Sequence, residues 1–515
     1  MALTTAVSLT GDDLTLQDVW AVAVEGGRAE LADRGRERLR AARGLVERAA
    51  AESSGEHTYG INTGFGRFVS KTIPPELAEE LQLRLLRSHA CGVGSPYPPE
   101  VVRAAMLLRA NTLAKGYSGA RPETVELLLE CLNRGVTPVV PSRGSVGASG
   151  DLAPLAHLAL PLVGEGTAVF EGETLPGAQA LERAGLEPVR LLAKEGLSLI
   201  NGTQFMAAVG ALVLVRALRL VRTADIACAL SLEALQGSRT SFLPEIHALR
   251  PLAGQQASAA NVVLLLEGSA ILEAHRWCDK VQDAYSLRCA PQVHGASRDL
   301  LAYAETTVGV ELNAATDNPL VFVEQGELVS NGNFHGQPLA FALDCAAMAL
   351  AELASISERR VERLTNPSLS DGLPAFLTHD GGLNSGFMIP QYVAAALVSE
   401  NKVLCHPAGV DSIPTSAGQE DHVSMGNASA LKCLQVLENV ERALAIELLA
   451  GAQGIEFLAP LEPGMGVRAT HDFLRSLSPT VIEDRPLADD IEAVATAIRT
   501  GELVAAVEQE VGELA

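Results

Sequence analysis

"PPEVVRAAMLLRANTLAKG" spans residues 98–116: two prolines open it, apolar residues recur at a spacing near 3.6, and a glycine closes it. Proline suits a first helical turn, where its missing N–H had no intrahelical partner, and glycine most readily ends a helix. The stretch therefore reads as a helix. The same grammar recurs on either side, in "PPELAEELQLRLLRSHACGVG" (74–94) and "RPETVELLLECLNRG" (121–135), so the first third of the chain is predicted helical.

Longer periodic segments fill the second half, roughly 256–287, 296–314, 337–364, 391–403 and 425–451, of the length that packs into bundle cores. Strand signals are few. "GTAVFEGETL" (166–175) and "PLVFVEQGELVS" (319–330) each read as a hairpin around a glycine-containing turn. The expected fold is mainly α: a long central helical bundle, a loop-rich N-terminal lobe and small β-hairpins. At 515 residues the chain exceeds one ordinary core, and the change in helix length puts a boundary near residue 200, giving a lobe at 1–200 and a bundle at 201–515.

A hydrophobic content of 48% with a net charge of -23 describes a folded, acidic protein. Such a surface repels nucleic-acid phosphates and anionic lipid, so neither partner is expected. The 8 cysteines form no CxxC pair, which suits reduced thiols. "MALTTAVSLTGDD" lacks a basic leader pattern, and the apolar run "FMAAVGALVLV" (205–215) stops at Arg216, short of a membrane span. Cytoplasmic location is the expectation.

"GSVGASGD" (144–151) sits in this helical frame with almost no side-chain bulk. The plain reading is a tight turn into a helix. It is not a nucleophile elbow, because Asp151 stands where G-x-S-x-G requires glycine, nor a P-loop, because no Lys-Ser/Thr follows. "GFGRFV" (64–69) lacks the third glycine of a dinucleotide loop, and none of the 11 histidines has zinc-site spacing, so no metal is expected.

Other polar, glycine-punctuated segments stand out. "YGINTGFG" (59–66) carries Tyr59 and Asn62, "SLINGTQ" (198–204) carries Asn201, and "QDAYSLRCAPQ" (282–292) puts Gln282, Tyr285 and Arg288 near one helical face. "SNGNFHGQP" adds Phe334 and "TSAGQEDHVSMG" adds Glu420. Several such segments invite a site assembled from distant parts of the chain.

With Ala148-Ser149-Gly150, these segments resemble the family of ammonia-lyases and aminomutases that make their own electrophile from Ala-Ser-Gly, matching its order from Tyr59 to Glu420. The resemblance implies that the Gly150 nitrogen attacks the Ala148 carbonyl carbon and that water loss, including the Ser149 hydroxyl, leaves a 4-methylidene-imidazol-5-one with no external cofactor. It implies Tyr59 as the base, although a free tyrosine titrates near 10, about three units above neutral, so the site must favour phenolate through backbone donors and charge. It implies Arg288 for the substrate carboxylate, Asn201 for the ring oxygen or substrate amine, Gln282 and Tyr285 as polar walls, and Phe334 over the electrophile. Asp151 either aids cyclisation or caps the next helix.

Ser88-His89 and "QEDHVSM" (419–425) resemble histidine-specific members; a carboxylate at Glu420 and an imidazole at His89 can hydrogen-bond both nitrogens of a substrate imidazole. Elimination of ammonia from L-histidine to trans-urocanate, by a homotetramer with shared sites, is what the resemblance implies. Gly409 and Gly418 stand where bulkier residues are expected, and Pro390 interrupts a presumed helix start near Met388, a further pocket residue. Two alternatives stay open: a tyrosine-specific lyase or aromatic aminomutase, and a helical scaffold without catalysis.

Overall fold

The stretch at 98–116 forms the helix Pro99–Ala114 with Pro99 in its first turn, and from Val101 to Ala114 nearly every residue is buried. A helix covered on all sides is a core helix. Leu16–Ala23, opened by a reciprocal Thr15–Asp18 capping box, and Pro122–Arg134 pack against it. The computed structural model describes residues 6–51, 59–61, 63–64, 66–277 and 280–515. Among them stand twenty α-helices and nine short strands, a mainly α fold.

Both expected hairpins form: Thr167–Phe170 pairs antiparallel with Glu173–Pro176, and Leu320–Phe322 with Glu327–Val329. The parallel pair Val7–Leu9 with Ala29–Leu31 and the antiparallel pair Val93–Pro96 with Pro141–Arg143 were not expected, being too short to show alternation.

The predicted helix over 256–287 is a correction. The structure has Ala253–Leu265, Ala270–Ala274 and Tyr285–Arg288 instead. Gly268 adopts a left-handed conformation, and Ser269 caps the next helix through Leu272 N–H at 3.0 Å, so the Gly-Ser pair stops one helix and starts another. Pro390, by contrast, lies in the first turn of Met388–Leu404, where it leaves no interior donor missing.

The chain divides into two units. One holds residues 1–212, 305–344 and 407–431; the other holds 213–304, 345–406 and 432–515. In the first, Ala42, Leu45, Val46, Ile61 and Val321 share an apolar cluster. In the second, Val361, Ala394 and Ile446 do so beside buried ion pairs, among them Arg360–Glu447 at 2.5 Å. Helices Gln204–Ala234 and Gln337–Thr365 are long and apolar enough to cross a membrane, but 89% and 67% of their most apolar windows are buried inside the protein. Their apolar surface is used in packing.

Candidate active site

Strand Pro141–Arg143 delivers the 144–151 loop, and helix Leu152–Ala159 carries the chain away. The loop is tied on several sides. Val146 O accepts from Met425 N–H at 2.8 Å, and Gly147 O accepts from Ser424 Oγ at 3.0 Å and from Gly336 N–H at 3.3 Å. These bonds bring the Phe334 loop and the segment after Glu420 against Ala148-Ser149-Gly150, all within the first unit. Ala148 is buried; Ser149 and Phe334 are half-buried.

Gly150 explains why the third position carries no side chain. A Cβ there would lie 2.0 Å from Gly202 O, and at Gly202 one would lie 2.5 Å from Arg109 Nη1. The two glycines form a parallel bridge, with Asp151 N–H donating to Gly202 O at 2.7 Å. Two backbones can approach this closely only where both side chains are absent.

Asn201 Nδ2 donates to Ser149 O at 3.0 Å, while its buried Oδ1 has no hydrogen-bond partner. Ser149 Oγ donates to Glu420 Oε1 at 3.0 Å. Asp151 does not cap the helix that follows it. Its Oδ2 accepts from Phe205 and Met206 N–H at 3.0 Å, so it caps the distant helix Gln204–Ala234, and Ser145 Oγ donates to Oδ1 at 2.8 Å. Burial pushes its carboxyl up to about 6 despite these donors.

Burial likewise raises the Tyr59 hydroxyl above its ordinary range; Gly66 N–H, donating at 3.4 Å, pulls it down, and the charges of Glu420 and Asp317 raise it further. A backbone donor is therefore present, as expected. The surrounding charge has the opposite sign from what phenolate needs. Asn62 of the same motif lies outside the described residues.

His89 Nδ1 lies 2.9 Å from Leu85 O, the contact of a protonated Nδ1, which leaves Nε2 an acceptor. Burial lowers its pKa, against the Leu85 carbonyl and the Glu420 charge, and keeps the ring neutral.

Gln282, Tyr285, Arg288 and Met388 belong to the second unit. Gln282 precedes the four-residue helix Tyr285–Arg288 and does not share its face, because Ala284 is extended and the helix begins only after it. Tyr285 and Arg288 do share a face: the guanidinium carbon lies 4.6 Å from the ring centroid. Arg288 Nε is buried without a partner, and Gln282 and Arg288 line a cavity of about 450 Å³ with Ser238, Arg239 and Thr240. Half-buried Met388 opens its helix.

Several residues escaped the sequence reading. Thr415 Oγ1 donates to Glu420 Oε2 at 2.5 Å, and the two residues exchange both backbone hydrogen bonds, closing a loop in which Ser416, Ala417 and Gly418 are left-handed. Gly418 therefore answers to its backbone angle. Gly409 answers to Asp344, whose Oδ2 would lie 3.0 Å from a Cβ there. Gly66 and Gly202 were visible only as members of glycine-rich motifs.

A family model described as aromatic amino acid lyase matches residues 14–476. A histidine ammonia-lyase of Gloeobacter violaceus is 57% identical over 512 residues, covering 99% of both chains. The crystal structure of histidine ammonia-lyase from Trypanosoma cruzi is similar with a TM-score of 0.91 at 47% identity, covering 99% of this chain and 96% of that one. A tyrosine aminomutase from Streptomyces globisporus gives a TM-score of 0.94 at 40% identity, covering 99% and 100%. With its Ala-Ser-Gly loop held between Asn201 and Glu420, the chain belongs to the aromatic amino acid lyase family.

Proposed function

We propose that this protein is a histidine ammonia-lyase, converting L-histidine to trans-urocanate and ammonia in the cytoplasm, the first step of histidine breakdown. One observation carries the choice of substrate: the Glu420 carboxylate stands 3.0 Å from Ser149 Oγ, beside the residue that would become the electrophile. A carboxylate facing a phenyl ring would be desolvated without return, whereas an imidazole N–H repays it with a hydrogen bond. The naming of strongly similar relatives supports the same reading.

The fit of a self-formed 4-methylidene-imidazol-5-one at Ala148-Ser149-Gly150 is supported by the bare glycine at 150 and by the Asn201 amide already on the Ser149 carbonyl oxygen. The group supplies an electrophilic carbon that makes the amine a better leaving group, with no external cofactor. Tyr59 takes the β-proton, with Gly66 N–H donating to its oxygen against the charges of Glu420 and Asp317. Glu420 and neutral His89 hold the imidazole, Arg288 the carboxylate, Asn201 the carbonyl oxygen of residue 149; Gln282, Tyr285, Phe334 and Met388 wall the pocket. Completing one site from both groups of residues is the work of a homotetramer, with the 1–200 lobe contributing the loop.

The test is a substrate panel. Urocanate absorbance should grow with L-histidine and no comparable product form from L-tyrosine or L-phenylalanine. Coumarate, or a β-tyrosine product by chromatography, would instead make this a tyrosine lyase or an aminomutase.

A further inference from the structure

Arg109 is the one charged residue in the run "AAMLLRANTLA" (104–114), and its exposure is 0%. Its Nη1 donates to the backbone oxygen of Asn201 at 2.8 Å and to Gln204 Oε1 at 2.9 Å. Nε and Nη2 have no partner. Asp317, the carboxylate that attracts it, is hydrogen-bonded at 2.8 Å to Lys194. Burial lowers the guanidinium pKa only to about 10, so it stays charged at neutral pH. A buried cation with three unmatched N–H hydrogens is a costly feature, and a native chain that retains one calls for a reason.

The reason lies one layer away. Arg109 backs onto Gly202, and Gly202 backs onto Gly150, so guanidinium, peptide and peptide are stacked at distances that leave no room for a methyl group. The Asn201–Gly202 turn that Arg109 grips supplies two groups to the loop. The Asn201 side chain donates to Ser149 O, and Gly202 O receives Asp151 N–H. Gln204, its other acceptor, donates from Nε2 to Thr112 and Thr316, which anchors the turn from behind. Swinging the Asn201 carbonyl away from Arg109 would turn the peptide that leads into Gly202, whose Cα, carbonyl carbon and oxygen are the atoms pressed against Gly150.

We propose that Arg109 is a positioning residue for ring closure at Ala148-Ser149-Gly150: it locks the Asn201–Gly202 peptide and so presses the loop into the conformation in which it cyclises. The inference rests on the function proposed above. In the closure it serves, the Gly150 nitrogen bonds to the Ala148 carbonyl carbon; the carbonyl oxygen leaves as water with the Gly150 and Ser149 amide protons. Ser149 Oγ leaves as a second water with the Ser149 α-proton, creating the exocyclic double bond. No oxidant or reductant is involved. Arg109 touches none of these atoms and acts through Asn201 and Gly202.

The test is the intact mass of assembled protein, purified by size exclusion, for wild type, Arg109→Gln and Arg109→Lys. Wild type should be lighter than the encoded chain by two waters. Arg109→Lys keeps the buried charge but presents a shorter, unforked donor. In both variants the ring-bearing fraction after equal expression time should fall about tenfold, the scale of losing a charge-assisted hydrogen bond. Circular dichroism should stay unchanged, and the ring-bearing molecules of Arg109→Lys should keep wild-type KM. A merely structural arginine would lower yield or melting temperature without changing ring content per folded chain. Wild-type ring content in either assembled variant overturns this inference alone. Failure of both variants to assemble assigns Arg109 to folding and also overturns it. An unmodified wild type overturns the proposed function and this inference with it.

Discussion

The Ser149 loop, with few polar side chains, and the Gln282–Arg288 segment, with many, differ in how those groups are used. Around Ser149 the polar groups are mutually engaged: Ser145 with Asp151, Asp151 with a helix terminus, Asn201 with Ser149, Glu420 with Ser149 and Thr415. Around Arg288 they are less so: Asp283 accepts from Ser238 N–H at 2.7 Å, but Tyr285 is 71% exposed and Arg288 Nε, like Asn201 Oδ1 beside the loop, is buried unmatched. The contrast is one of preorganisation: the first region is held by its own hydrogen bonds, while the second keeps a buried donor unmatched, which is what the proposed function asks of each.

The sharpest way to break the contrast is Ser149→Ala. It should leave folding and circular dichroism intact while urocanate formation drops about a thousandfold or more; retained turnover would show that the loop's engagement serves packing only. Tyr59→Phe comes next, with kcat on histidine down about a thousandfold and the mass deficit of the ring retained in assembled protein. Arg288→Lys probes the open region. KM for histidine should rise about tenfold to a hundredfold with a smaller change in kcat, as expected for a lost bidentate carboxylate contact. Glu420→Gln should lower kcat/KM for histidine about tenfold and raise tyrosine turnover relative to it, measured by the two product spectra.

The smallest effect concerns pH. An unfolded Asp151 titrates near 3.8, and burial raises the folded group to about 6. The folded chain binds this proton more tightly, so the stability it contributes is complete below pH 3.8 and is lost as pH rises through about 6. The loss is at most about 3 kcal/mol, or a melting shift of about three degrees for a chain of this length. Asp151→Asn should flatten that part of the melting curve against pH; an identical pH profile in the variant would show that Asp151 is ionised throughout.

Much of this was legible in the residues because local grammar and tertiary structure agree. Pro99 and Pro122 start their helices, Gly135 ends one, and both hairpins turn where glycine stands. Sequence reading fails where a residue serves a segment far away. Asp151 is adjacent to one helix and caps another that begins more than fifty residues later, which no local pattern announces. Periodicity likewise ran through Gly268-Ser269 because apolar residues continue on both sides, although the stop and start signals were there. The charge of Asp317 on Tyr59 could not be read at all, since Asp317 is remote in sequence and stands in none of the motifs.

The loop from Thr415 to Glu420 is pinned end to end by its own backbone pair, with its left-handed residues between. It behaves as a cassette. Exchanging one residue for another between Thr415 and Glu420 would leave that closure standing, whereas an insertion or deletion would part the two ends and carry the Glu420 carboxylate away from Ser149.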